Sequence, residues 1–80
     1  MSYIGHKTYE DELRDLIKDE TQTHEWEITG EKFIRNFTST KLQFVELLMR
    51  IEDFFSIKIS SNVSEGITFN EVIQLIKDKE

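Results

Sequence analysis

Residues 40 to 55, TKLQFVELLMRIEDFF, decide the fold of this chain. Thr40 followed three positions later by Gln43 is a capping box, the pattern that opens an α-helix. The predicted helix runs from this cap to about residue 55, and apolar side chains cover most of its circumference. A single coherent polar stripe remains, formed by Gln43, Glu46, Arg50 and Asp53. We therefore expect this helix to be central, with neighbours on several sides and with Val45, Leu48, Ile51 and Phe55 in the core.

Two further helices flank this central one. Each begins with a threonine that has an acidic residue three positions later, namely Thr8 with Asp11 and Thr68 with Glu71. Apolar residues follow each cap at helical spacing. The pattern predicts one helix near residues 8 to 20 and a last helix over about residues 69 to 78. The expected fold is an all-α bundle of three to four small helices with a long first loop.

The connections are also readable from the pattern. Residues 21 to 39 form a long loop, which a compact domain tolerates when apolar side chains pin it down. The expected pins are Trp26, Ile28, Phe33, Ile34 and Phe37. Between the second and third helices, Ile57 and Ile59 alternate with polar residues and indicate an extended connection. One helical turn is predicted after it, at residues 62 to 65.

The composition limits the class of protein. Eighty residues with 38% apolar content supply enough side chains for one small core, so we expect a single domain over residues 1 to 80. The absence of cysteine excludes disulfides, thiolate metal sites and cysteine nucleophiles. A net charge of −6 argues against nucleic-acid binding. With neither a long apolar stretch nor a leader pattern, we expect a cytoplasmic monomer that does not insert into membranes.

The negative charge is concentrated near the N-terminus. Residues 1 to 27 hold eight acidic and three basic residues, a net charge of −5. Residues 28 to 80 hold eight acidic and seven basic residues and are nearly neutral. An electrostatic partner surface is therefore expected on the first helix and the loop that follows it.

The sequence contains no set of residues that indicates catalysis. His6 and His24 have no partner at metal-ligand spacing, so neither is assigned a role and no metal site is expected. Glu52 and Asp53 are neighbours on a helix and point about 100° apart, which prevents them from sharing a substrate atom. There is no glycine-rich phosphate loop. We expect a protein that is not an enzyme.

From residue 32 to residue 76 the chain resembles the acyl carrier protein family without a gap. The segment FIRNF at 33 to 37 is similar to the family's Phe-x-x-Asp-Leu loop, and IEDFF at 51 to 55 is similar to its Leu-Glu-Glu-x-Phe. VELLM at 45 to 49, IKI at 57 to 59 and GIT at 66 to 68 resemble the family's corresponding segments. The resemblance implies the same helical bundle and a place in fatty acid or polyketide metabolism.

The resemblance fails at the attachment site. In the family, a serine in an Asp-Ser-Leu motif is esterified by 4′-phosphopantetheine, whereas the matching residues here are Thr40, Lys41 and Leu42. The amine of Lys41 cannot form that phosphodiester, so no cofactor is expected. The alternative is a functional carrier modified at an unusual residue, Ser39 or Thr40.

A second departure is the charge of the central helix. The family docks on partner enzymes with an acidic second helix, but residues 41 to 55 carry a net charge of only −1. Phe54 stands where the family has an acid; it is either an interface anchor or an additional core residue, and on so apolar a helix we favour the core. The leading hypothesis is a divergent family member that binds protein partners, such as acyl-transfer or synthase enzymes, through Gln43, Glu46, Arg50 and Asp53. A small helical adaptor unrelated to the family is the alternative from another class.

Overall fold

A computed structural model describes residues 8–60 and 64–79 of the chain. The three α-helices are α1 (Tyr9–Thr21), α2 (Lys41–Phe55) and α3 (Phe69–Lys79). Three single-turn 3-10 helices lie in the connections, at Glu25–Glu27, Ile34–Phe37 and Ser64–Gly66. The prediction of an all-α bundle with a long first loop is confirmed for the described residues.

Each α-helix begins at the threonine that the capping pattern predicts. The threonine hydroxyl accepts a backbone N–H three residues later at 3.1 Å in α1, 3.0 Å in α2 and 3.2 Å in α3, the caps being Thr8, Thr40 and Thr68. At α3 the box is reciprocal, because Glu71 accepts the backbone N–H of Thr68 at 2.8 Å. These bonds satisfy amide donors that a helix N-terminus leaves unpaired.

The core is formed by one face of each helix together with isoleucines from the connections. The buried helical residues are Leu13, Ile17, Phe44, Leu47, Ile51, Phe69, Val72, Ile73 and Ile76. The connections add Ile28, Ile34, Phe37, Ile57, Ile59 and Ile67. All buried side chains among the described residues are apolar, so packing carries the stability of the bundle.

Three of the five predicted pins hold the first loop, and two are wrong. Ile28, Ile34 and Phe37 are buried, whereas Trp26 is 76% exposed and Phe33 is 39% exposed. Backbone hydrogen bonds also hold the first loop against the start of α3. The Phe69 N–H donates to the Lys32 carbonyl at 2.9 Å, and an isolated antiparallel bridge pairs Phe33 with Thr68. The Phe33 side chain lies at the surface with the Arg35 guanidinium 5.5 Å from its ring centroid.

The expectation that α2 is surrounded on several sides is also wrong. Leu42, Val45 and Met49 are 68%, 41% and 57% exposed, so Val45 is not a core residue. Ile51 is buried as predicted, while Leu48 and Phe55 are half-buried at the edge of the core. The physical reason is that the described elements cover only one face of α2. Phe54, assigned to the core from the sequence, is 57% exposed at the end of the helix.

The segment after α2 is extended, as predicted. Ile57 and Ile59 are buried, and the Ile59 N–H donates to a Glu52 carboxylate oxygen at 2.7 Å. The predicted turn at residues 62 to 65 overlaps the 3-10 helix at Ser64–Gly66, and residues 62 and 63 lie outside the described ranges. None of the helices in those ranges has the length and apolar character needed to cross a bilayer.

Candidate functional site

The N-terminal end of α2 holds Lys41, the residue that the sequence resemblance aligns with an attachment serine. Lys41 is the first residue of the helix, and Ser39, Thr40 and Lys41 are all exposed. The Thr40 hydroxyl accepts the Gln43 N–H, while the Gln43 side-chain oxygen accepts the N–H of Ser39 at 2.6 Å. The predicted capping box therefore closes on Ser39 rather than on Thr40, which ties the backbone of both hydroxyl residues to the first turn.

A shallow cavity of about 330 Å³ opens beside this end of the helix. It is lined by Arg35, Asn36, Thr38, Ser39, Thr40, Lys41, Phe44 and Glu65. The lining contains two cations, Arg35 and Lys41, and one carboxylate, Glu65. The rim of the cavity is therefore weakly basic. Arg35 could not be predicted as a site residue from the sequence, because only the fold of the Ile34–Phe37 turn brings it to the start of α2.

An exposed apolar stripe runs along α2 from this end. It consists of Leu42, Val45 and Met49, which share one side of the helix opposite the buried Leu47. A second shallow cavity, of about 400 Å³, lies between this side and the Ser64–Gly66 turn. An exposed apolar patch with a charged rim is typical of a protein-binding surface.

The predicted polar stripe of α2 divides into two pairs. Gln43 and Arg50 turn towards the end of α1: the Gln43 amide donates to the Glu20 carbonyl at 3.5 Å, and Arg50 pairs with the Glu20 carboxylate at 3.5 Å. Glu46 and Asp53 are exposed and line a shallow cavity together with Met49. The two acids therefore border the apolar stripe, whereas the other pair also joins α2 to α1.

The remaining candidates are the two histidines and the neighbouring acids Glu52 and Asp53. The structure describes all of them except His6. His24 stacks on Trp26 with ring centroids 5.9 Å apart. Glu52 accepts the Ile59 N–H, while its neighbour Asp53 is exposed. No group of three potential metal ligands occurs within residues 8–60 and 64–79, and His6 lies outside them.

Comparison with known proteins gives one consistent result. Acyl carrier proteins from three Clostridium perfringens strains, SM101, ATCC 13124 and 13, are each 33% identical to this chain over 70 residues. The alignments cover 85% of this chain and 92% of each relative. No family model matches the chain. Identity at this level over nearly the whole relative, together with the helical bundle, shows that the chain belongs to the acyl carrier protein family.

Proposed function

We propose that this chain is a divergent family member, a single domain over residues 1 to 80, that binds protein partners through α2 without a phosphopantetheine arm. It acts as a non-enzymatic cytoplasmic monomer whose partners are acyl-transfer or synthase enzymes. The observation that supports the proposal is that Lys41 is the first residue of α2, and the sequence resemblance aligns this residue with the family's serine. A phosphodiester to this arm needs a hydroxyl oxygen, and the Lys41 amine has none.

The neighbouring hydroxyls are poor substitutes on geometric grounds. Thr40 lies before the first helical residue and its oxygen already accepts the Gln43 N–H, so esterification would crowd the helix cap. Ser39 lies one residue further into the loop, so its exposed hydroxyl stands before the helix cap and not on the first turn of α2. A transferase that docks on the first turn of α2 would meet Lys41 instead. The residues present do not fit the arm.

The α2 surface supports partner binding by itself. Three apolar side chains, Leu42, Val45 and Met49, are exposed on this surface. Burial of their apolar area by a partner would stabilise the complex. Glu46 and Asp53 beside them supply a charged rim that fixes orientation. Gln43 and Arg50 complete the proposed contact set on the side that faces α1. Binding of this kind requires no covalent group on the protein.

The proposal predicts the outcome of an attempted modification. The protein incubated with coenzyme A and a broad-specificity phosphopantetheinyl transferase should keep its intact mass. A Clostridium perfringens acyl carrier protein treated in parallel is the positive control, and Lys41→Ser tests whether a hydroxyl at this position restores labelling. Lys41→Ala is the matched variant that removes the amine without adding a hydroxyl, and it should stay unlabelled.

Efficient labelling of the unchanged protein would contradict the proposal. In that case Ser39→Ala and Thr40→Val, made separately, identify the modified residue as the one whose loss abolishes the mass increase. The chain would then be a functional carrier that uses an unusual attachment residue.

A further inference from the structure

Trp26 is the most exposed large apolar side chain among the described residues. It is 76% exposed and lies on the 3-10 turn at Glu25–Glu27, which packs beside α1. Indole rings carry a large apolar area and are enriched where proteins meet partners. A tryptophan left in water on an ordered turn therefore marks a surface that a partner can cover.

The turn holds the indole in a defined position. The His24 imidazole stacks on it with ring centroids 5.9 Å apart and planes 9° from parallel. The imidazole lies parallel to the indole, and most of the indole is left to solvent because Trp26 is 76% exposed. A shallow cavity of about 510 Å³ lies alongside, lined by Arg14, Glu25, Ile28 and Thr29 together with the indole. The surface thus combines an exposed indole with an adjoining recess, and we call it the Trp26 surface.

Carboxylates flank Trp26 on its own turn, at Glu25 and Glu27, and the segment that contains the turn is strongly acidic. Residues 8 to 31 contain nine acidic and two basic residues, a net charge of −7, whereas residues 32 to 79 carry a net charge of +1. Both basic residues already contact groups of the protein. Arg14 donates to the Ile28 carbonyl at 3.1 Å and pairs with Asp11 at 3.5 Å, and Lys18 pairs with Glu25 at 3.8 Å. Glu20 is in addition paired with Arg50 of α2 at 3.5 Å, and the segment still holds more carboxylates than these cations neutralise.

A hydrogen bond keeps one of these carboxylates ionised next to the recess. The Thr29 hydroxyl donates to Glu31 at 2.6 Å, and this bond lowers the pKa of the Glu31 carboxyl. The negative charge at this edge therefore persists as the solution becomes mildly acidic.

We propose that the Trp26 surface binds a basic protein segment that places an arginine guanidinium over the exposed indole. Tryptophan is the best aromatic partner for a cation, and arginine stacks on it more readily than lysine does. The net charge of −7 attracts a basic segment and repels nucleic acid and anionic lipid. This surface is separate from the α2 stripe, so the inference goes beyond the proposed function and does not depend on it.

The test uses the fluorescence of Trp26, the single tryptophan of the chain. The probe is a capped six-residue peptide in which arginine and glycine alternate, titrated into the full-length protein at low ionic strength. We expect a saturable change in emission that weakens as salt is added. The matched lysine peptide should bind about threefold or more weaker, and the matched glutamate peptide should give no saturable change.

Variants assign the binding to the indole. With a fluorescein-labelled arginine peptide followed by anisotropy, Trp26→Ala should lose about fivefold or more in affinity, and Trp26→Phe should lose less. Phe54→Ala removes another exposed aromatic side chain and should bind like the unchanged protein. Circular dichroism checks that each variant keeps its helices.

Three results would overturn the proposal. The first is equal peptide affinity for the unchanged protein and Trp26→Ala, and the second is a glutamate peptide that binds as well as the arginine peptide. The third is an emission shift that depends on protein concentration without peptide, which would place a second copy of the chain on Trp26. The transferase experiment on Lys41 involves none of these residues, so its outcome is independent.

Discussion

Replacing Phe69 by alanine should remove about half of the free energy of unfolding and lower the urea midpoint accordingly. Phe69 is 1% exposed at the start of α3, and the Arg14 guanidinium lies 5.3 Å from its ring centroid, so the substitution removes core packing and a cation–π contact. Truncation of a buried phenylalanine costs about 3 to 5 kcal/mol. An 80-residue domain has about 4 to 8 kcal/mol of stability in total. Urea unfolding followed by circular dichroism measures the loss.

Phe54 and Phe55 provide matched controls within α2. Phe54 is 57% exposed, and Phe54→Ala should change the free energy of unfolding by about 0.5 kcal/mol or less. Phe55 is half-buried and makes an edge-to-face contact with Tyr9 at 6.5 Å, so Phe55→Ala should fall between the other two. Equal losses for Phe69→Ala and Phe54→Ala would show that the described core is incorrect.

Partner binding should depend on the apolar stripe of α2 at every salt concentration. Met49→Glu places a charge in the middle of the stripe and should weaken the complex with a partner recovered by affinity purification about 30-fold or more, the effect of losing a central anchor residue. Met49→Leu keeps the apolar area and should bind nearly normally. Isothermal titration calorimetry measures both. A Met49→Glu variant that binds unchanged would remove α2 from the interface.

Charge reversals separate the steering charges from the apolar contact. Asp11→Lys with Asp15→Lys reverses the acidic surface of α1, and Glu46→Lys with Asp53→Lys reverses the acids on α2. Because α2 carries a net charge of only −1, we expect the α1 pair to reduce the salt-dependent part of the affinity more than the α2 pair does. Loss of binding for the α2 pair alone would assign docking to the acids of α2.

The starts of the helices were predictable because each depends only on residues in the first turn. A threonine cap needs only the backbone amides of the next turn, so Thr8, Thr40 and Thr68 each mark a helix start without reference to the rest of the chain. The segment at residues 57 to 59 was predictable for a similar reason, since alternation shows which side chains turn inwards.

Burial was less predictable, because periodicity shows which face is apolar but not whether another element covers it. Val45 and Phe54 lie on an almost wholly apolar helix and were assigned to the core, yet no described element lies over them. The pattern did contain a signal: Leu42, Val45 and Met49 form a stripe separate from the buried residues of α2. Trp26 gave no such signal, because its exposure depends on the 3-10 turn that holds its backbone.

The place of Lys41 in the fold was predictable, because the Thr40 cap makes it the first residue of α2, and the structure has it there. The other residues beside it were not predictable. Arg35 reaches the same cavity because of the Ile34–Phe37 turn, whose backbone path the sequence pattern did not predict. The division of the polar stripe likewise depends on Glu20, which comes from another helix.

The central claim is that this family member works without a phosphopantetheine arm, and the intact mass of the protein purified from its own host tests it most directly. Mass spectrometry of the undigested chain, followed by peptide mapping of residues 36 to 50, reports any adduct and the residue that carries it. We expect a mass without a phosphopantetheine adduct, with Ser39, Thr40 and Lys41 unmodified. A phosphopantetheine adduct on any of these three residues would instead make the chain a functional carrier.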